Sequence, residues 1–126
     1  MTLLYIALGG AAGALARYGL GGWVQNRIAV AFPWGTLTVN VIGCLLIGLS
    51  IPYLEALRVK PDVRMLVAVG VLGAFTTFSA FGYETVALLR EGAWPRAVGY
   101  VGASVILGIG MVWVGIRLST ILPGGS

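Results

Sequence analysis

Histidine is absent from this chain, cysteine occurs once, and acidic residues number only four among 126. Without imidazole there is no histidine metal site and no histidine-dependent catalysis. The lone thiol, Cys44, has no partner for an intrachain disulfide; inside an apolar run it reads as a small packing residue and is silent on redox compartment. Glu55, Asp62, Glu84 and Glu91 are scattered, and residues 1–30 contain no acid at all. Nothing here assembles a nucleophile with a base, so an enzyme is not expected.

Charge is scarce too. Charged residues make up 10% of the chain and hydrophobic residues 59%, against about 25% and about 45–50% in soluble domains. No soluble fold of this length has enough interior to hide that surplus. The composition is that of an integral membrane protein. Net charge is +4, but the basic residues stand at the ends of apolar runs, where they anchor to lipid headgroups. A nucleic-acid partner is not indicated. Ala14-Leu15-Ala16 superficially resembles a signal-peptidase site. It follows no positive n-region and precedes three further apolar runs, so a retained first helix is expected.

About 20 apolar residues cross a bilayer. By that measure the chain is a single four-span domain, residues 1–126, with spans over Leu3–Val30, Trp34–Leu57, Arg64–Leu89 and Pro95–Leu122. Pro33, Pro61 and Pro95 sit at or near the start of the following helix, where a missing N–H costs least. The connections Phe32-Pro33, Arg58 to Val63 and Arg90 to Trp94 are short enough to make consecutive helices antiparallel. Trp34, Trp94, Tyr53 and Tyr100 lie near span ends, as an aromatic belt requires. Gly9 with Gly13, and Gly99 with Ala103, form small-xxx-small pairs suited to close helix approach.

Orientation is nearly undetermined. With Met1 on one face, Arg58, Lys60, Arg64 and Arg117 share it, while Arg27, Arg90 and Arg96 lie on the other. Four against three is almost no bias under the positive-inside rule. Such a chain is expected to insert both ways up and to pair as an antiparallel homodimer, the intermolecular version of an inverted repeat.

The polar residues at membrane depth are concentrated. Arg17 lies inside the first span, where a fixed cation either snorkels to the headgroups or draws anions to a pore mouth. Asn40, near the middle of the second span, supplies amide donors for an interhelical bond or for a passing anion. The 26 residues from Arg64 to Leu89 would measure about 39 Å as one helix, more than the roughly 30 Å hydrocarbon core. Gly70, Gly73 and the pair Thr76-Thr77 mark the place for a break. A break exposes carbonyls that suit a hard cation such as Na⁺, and helix N-termini that suit anions. Phe75, Phe78 and Phe81 recur every three residues, as neighbours on one helix face. They are either a packing stripe or a set of electropositive ring edges for a small anion. Thr76, Thr77, Ser79, Tyr100 and Ser104 add hydroxyl donors, the last two sharing a face.

The whole chain resembles the Fluc-type, CrcB-like fluoride channels, small four-span bacterial membrane proteins. The resemblance rests on Gly9-Gly10-Ala11-Ala12-Gly13-Ala14-Leu15-Ala16-Arg17-Tyr18, on Gly35-Thr36-Leu37 with Asn40 and Gly43, and on Gly70-x-x-Gly73-x-x-Thr76-Thr77-Phe78-Ser79-x-Phe81. No key position departs from the pattern. The resemblance implies a fluoride-selective passive channel in the bacterial plasma (inner) membrane that exports cytoplasmic fluoride. It implies a dual-topology antiparallel homodimer with two pores and a broken third helix. It also implies that Phe78 and Phe81 are pore-lining rings and that Asn40, Tyr100, Ser104, Thr36, Thr77 and Ser79 belong to the fluoride path. Arg17 is then a vestibule residue, Glu84 joins the polar track, and a structural Na⁺ sits at the dimer centre on the carbonyls of Gly73 and Thr76.

The competing expectation is a proton-coupled small multidrug exporter of similar size and span number. That chemistry needs a carboxylate in the first span, and this chain has none there. A non-transporting assembly subunit leaves the Thr, Ser, Asn and Arg at depth unexplained.

Overall fold

A computed structural model describes residues 1–28 and 31–124, and its regular elements are all helical. Helix α1 covers Thr2–Arg27 and α2 covers Trp34–Ala56. The third span starts with α3, Pro61–Met65, widens into a π-helical stretch over Leu66–Leu72, and tightens into the short α4, Gly73–Phe75. Thr76 and Thr77 then take extended backbone, and α5 resumes at Phe78–Arg90. Helix α6 covers Trp94–Ile121. Among the described residues, four helical segments are long and apolar enough to cross a membrane.

The expected spans and the helices agree to within a few residues. The third span begins earlier, at Pro61 rather than Arg64. Proline at the first helical position has no N–H to leave unpaired, and Asp62 complements the positive helix end. The expected end of the first span at Val30 lies outside the described residues.

Two interfaces fix the arrangement. Helix α2 runs along α6, and α1 packs on the π-helical stretch and α4. Both depend on absent side chains. A Cβ on Gly48 would collide with the carbonyl of Val112, and one on Gly115 with that of Leu45. Gly9 and Gly13 press in the same way on Leu66 and Val71. Without a hydrophobic drive between helices in lipid, such backbone contact supplies the van der Waals attraction. Within one chain the close approach on α6 is made by Gly115, and Gly99 of the Gly99–Ala103 pair has no neighbour within 4 Å of a built Cβ.

The helix ends alternate between two faces. Thr2 Oγ1 donates to Asp62, and Tyr53 OH donates to the Pro123 carbonyl at 3.3 Å. The chain start, the α2–α3 connection and the end of α6 therefore share one face. At the other face Trp34, Phe32, Phe81 and Ala103 surround a buried cluster of Leu37, Leu88, Ala97 and Tyr100. Tyr100 is fully buried, which removes it from the expected aromatic belt. Trp94, Trp23 and Trp113 are exposed, and the last two each lie under an arginine one turn on, Arg27 at 5.1 Å and Arg117 at 5.4 Å.

Candidate functional site

Asn40, about two turns into α2, faces the extended residues Thr76 and Thr77. Its Nδ2 donates to the Thr77 carbonyl at 3.0 Å, and its Oδ1 accepts from the Thr77 N–H at 2.8 Å. One amide thus satisfies both backbone groups of a residue that has no helical partner, as a buried backbone requires. The Thr77 hydroxyl accepts from Ala80 N–H at 3.2 Å and caps α5, the usual work of a threonine at a helix start.

These bonds have a consequence for two carbonyls. In a continuous helix the Gly73 carbonyl would receive the Thr77 N–H and the Thr76 carbonyl the Ala80 N–H. The first N–H goes to Asn40 and the second to the Thr77 hydroxyl. Gly73 and Thr76 therefore present carbonyl oxygens stripped of their helical donors. Among the described residues no group of His, Cys, Asp or Glu could hold a metal ion. A cation here would rest on backbone oxygen, and the donor chemistry suits a hard ion.

Beside the extended pair is a groove of about 380 Å³ lined by Asn40, Gly43, Cys44, Phe78, Phe81 and Ser104, among others. The three phenylalanines do not share a face, contrary to the spacing argument. Phe75 belongs to α4 and is buried, whereas Phe78 opens α5 and is 83% exposed. The extended residues between them rotate one ring inward and the other outward. Phe78 and Phe81 remain together, centroids 5.7 Å apart, and Phe81 leans on Tyr100 at 5.1 Å.

Tyr100 leads to a carboxylate. Its hydroxyl donates to Glu84 Oε1 at 2.9 Å, and Thr36 Oγ1 donates to Glu84 Oε2 at 3.0 Å. Three helices, α2, α5 and α6, thus meet on one side chain. Glu84 also lines a cavity of about 290 Å³ with Phe32, Pro33, Gln25 and Glu91, at the face where α1 ends and α2 begins. Between groove and cavity, Phe78, Phe81, Tyr100 and Glu84 are linked by successive side-chain contacts.

The remaining expected residues fall around it. Ser104 Oγ is buried on the groove wall without a hydrogen-bond partner. Ser79 is exposed, 3.3 Å from the Thr77 hydroxyl. Thr76 turns its hydroxyl back to the Leu72 carbonyl at 3.1 Å. Arg17 Nε donates to the Ala74 carbonyl at 3.1 Å, which brings the guanidinium to the α4 side of the extended pair. Sequence reasoning missed Gln25. Its amide donates to the Phe32 carbonyl and accepts from Gly35 N–H, both at 3.0 Å. A polar amide in the last turns of an apolar helix was the one available signal.

The chain is similar to known proteins over nearly its whole length. A family model described as "CrcB-like protein, Camphor Resistance (CrcB)" matches residues 4–116. A "Fluoride-specific ion channel FluC" of Acidobacterium capsulatum is 47% identical over 117 residues, 92% of this chain and 94% of the relative. A protein of the same name from Thermus thermophilus is 47% identical over 121 residues, 96% and 95% of the two chains. One from Chloroflexus aurantiacus is 45% identical over 118 residues, 93% and 94%.

Proposed function

The chain belongs to the CrcB-like family, and from that premise we propose that it is a fluoride-selective passive ion channel, exporting cytoplasmic fluoride and so lowering its toxicity. It is a multi-pass membrane protein, and its place is the bacterial plasma membrane. The observation that carries the mechanism is the track from Phe78 and Phe81 to the hydroxyls of Tyr100 and Thr36, which converge on Glu84.

Fluoride is small and strongly hydrated, so close donors must replace its water in a narrow path. Ring edges of Phe78 and Phe81 offer positive charge without a competing lone pair. Asn40 keeps one amide N–H beyond the one given to Thr77, and Ser104 adds a hydroxyl with no protein partner. Deeper in, Tyr100 and Thr36 already donate to the two side-chain oxygens of Glu84. Fluoride takes those donors in exchange for it. Chloride, larger and more weakly hydrated, gains less from the same donors and fits the path poorly. Arg17 places a fixed cation at the mouth and raises the local anion concentration. Thr77 and Ser79 complete the polar rim at the start of α5.

The active unit in this reading is an antiparallel homodimer of dual topology, paired around the extended residues that break the third span. A structural Na⁺ at the dimer centre would be held by the carbonyls of Gly73 and Thr76, which lack helical donors. Such an ion would supply positive charge to offset these carbonyls. The multidrug-exporter alternative is not favoured: the first span carries no acid, and both oxygens of Glu84 are engaged by hydroxyls.

The test is efflux from liposomes loaded with fluoride, read by a fluoride electrode under K⁺ and valinomycin. The protein should release fluoride with no pH gradient and release little chloride. Comparable chloride release, or fluoride release that needs a pH gradient, overturns the proposal.

A further inference from the structure

We infer that Gln25, a residue outside the fluoride track, is a positioning residue that holds the two hydroxyl donors of Glu84 in register. The inference rests on the channel reading and extends it to a side chain for which that reading gives no role. Gln25 Nε2 donates to the Phe32 carbonyl and Gln25 Oε1 accepts from Gly35 N–H. Each bond leads to one donor of the carboxylate. Phe32 packs edge-on against Tyr100, with centroids 5.5 Å apart at 82°. Gly35 directly precedes Thr36, and a Cβ built on it would collide with the Gly21 carbonyl, so this part of α2 is already pressed against α1. Gln25 and Glu84 also line the same cavity.

The arrangement acts as a brace. One planar amide fixes the distance between the chain entering α2 and its first turn, with a donor and an acceptor that cannot be exchanged. Phe32 then sets where the Tyr100 ring lies, and Gly35 sets where the Thr36 hydroxyl lies. Misplacing either by about 1 Å has large effects on a site that works by geometry. Gln25 touches no permeating ion in this scheme.

The test uses full-length protein, first in liposomes. Wild type alone decides the channel reading through fluoride release. Gln25→Met keeps the length and removes both bonds; it should slow fluoride efflux at least about tenfold, the scale on which a misplaced group affects a site that works by geometry. Gln25→Glu keeps an acceptor for Gly35 but turns an oxygen against the Phe32 carbonyl, so its rate should fall at least as far as that of Gln25→Met. The second readout is carbon-13 NMR of glutamate side-chain carboxyls, of which the chain has three, Glu55, Glu84 and Glu91. In Gln25→Met, which adds no charge to the shared cavity, the Glu84 signal, assigned by its loss in Glu84→Gln, should move while that of Glu55 stays. Normal flux with an unmoved Glu84 signal in correctly assembled protein makes Gln25 merely structural and overturns the inference. Should neither variant assemble, wild type still decides. Gln25 is the only glutamine, so its nitrogen-15 side-chain signal is unique, and it should shift with fluoride and not with equal chloride. A signal indifferent to fluoride, or equally sensitive to both ions, overturns the inference. If wild type releases no fluoride, the channel reading fails on its own, and the Glu84 carbon signal still reports the brace.

Discussion

Phe81 and Phe78 occupy different environments although both lie at the start of α5. Phe81 is half-buried between Phe78 and Tyr100, whereas Phe78 stands out from the single chain. Replacing Phe81 with Ile keeps bulk and removes the ring edge. The aromatic contact with Tyr100 is worth about 1 kcal/mol, too little to unfold the protein. Fluoride efflux should fall at least about tenfold while the assembly on gel filtration is unchanged; normal efflux returns Phe81 to the status of packing. Asn40 carries a different burden, because it satisfies both backbone groups of Thr77. Asn40→Asp retains the acceptor and turns an oxygen against the Thr77 carbonyl. Losing the part-buried donor costs about 1 kcal/mol, so the variant should melt earlier as well as conduct less. An Asn40→Asp protein with wild-type melting and reduced flux would mean that the amide serves only the ion.

Among the elements, α2 and α6 approach each other backbone to backbone, with no room for a side chain between them. Gly48 and Gly115 each face a backbone carbonyl of the other helix, and backbone, unlike a side chain, has no rotamer by which to retreat. Gly115→Ala should force the helices apart, destabilise by about 1–3 kcal/mol and lower the yield of folded protein. Gly110, on the same helix with nothing within 4 Å of its built Cβ, supplies the comparison. Gly110→Ala should leave the unfolding midpoint unchanged or raise it, since alanine favours a helix over glycine by about 1 kcal/mol. Equal loss in both variants would show that general helix rigidity, and not contact, decides. The third span works the other way, because its polar contacts hold it out of a regular helix. The Thr77 cap and the Asn40 amide replace the helical bonds that the extended residues give up.

For the whole molecule the deciding quantity is the charge at the two faces. Four basic residues oppose three, and the bonds from Thr2 to Asp62 and from Tyr53 to Pro123 put the corresponding chain ends on one face. Adding two or three lysines to one end should drive all copies into one orientation. In the proposed antiparallel homodimer that leaves every copy without a partner, and fluoride efflux should collapse although each chain still inserts. Co-expression with an oppositely biased version should restore it. Full activity from one biased form, its orientation verified by cysteine labelling, would rule out the antiparallel assembly.

Hydropathy, proline placement and loop length determined the four spans and their alternation, because those properties are local and the bilayer fixes the length that must be apolar. Residue type likewise marked Asn40, Tyr100 and Phe81, since polar or aromatic side chains at membrane depth are costly or distinctive wherever the helices turn. Tertiary structure alone decided which of them meet. The partners of Glu84 are 48 and 16 residues away along the chain, and their meeting depends on how α2, α5 and α6 are rotated about their axes. Spacing by three placed Phe75 beside Phe78, but that rule assumes an unbroken helix, and two extended residues turn the rings apart. Gln25 was illegible for the same reason: its function lies in two backbone groups, Phe32 C=O and Gly35 N–H, and every residue carries a carbonyl while all but proline carry an N–H, so only the fold selects which ones a side chain reaches.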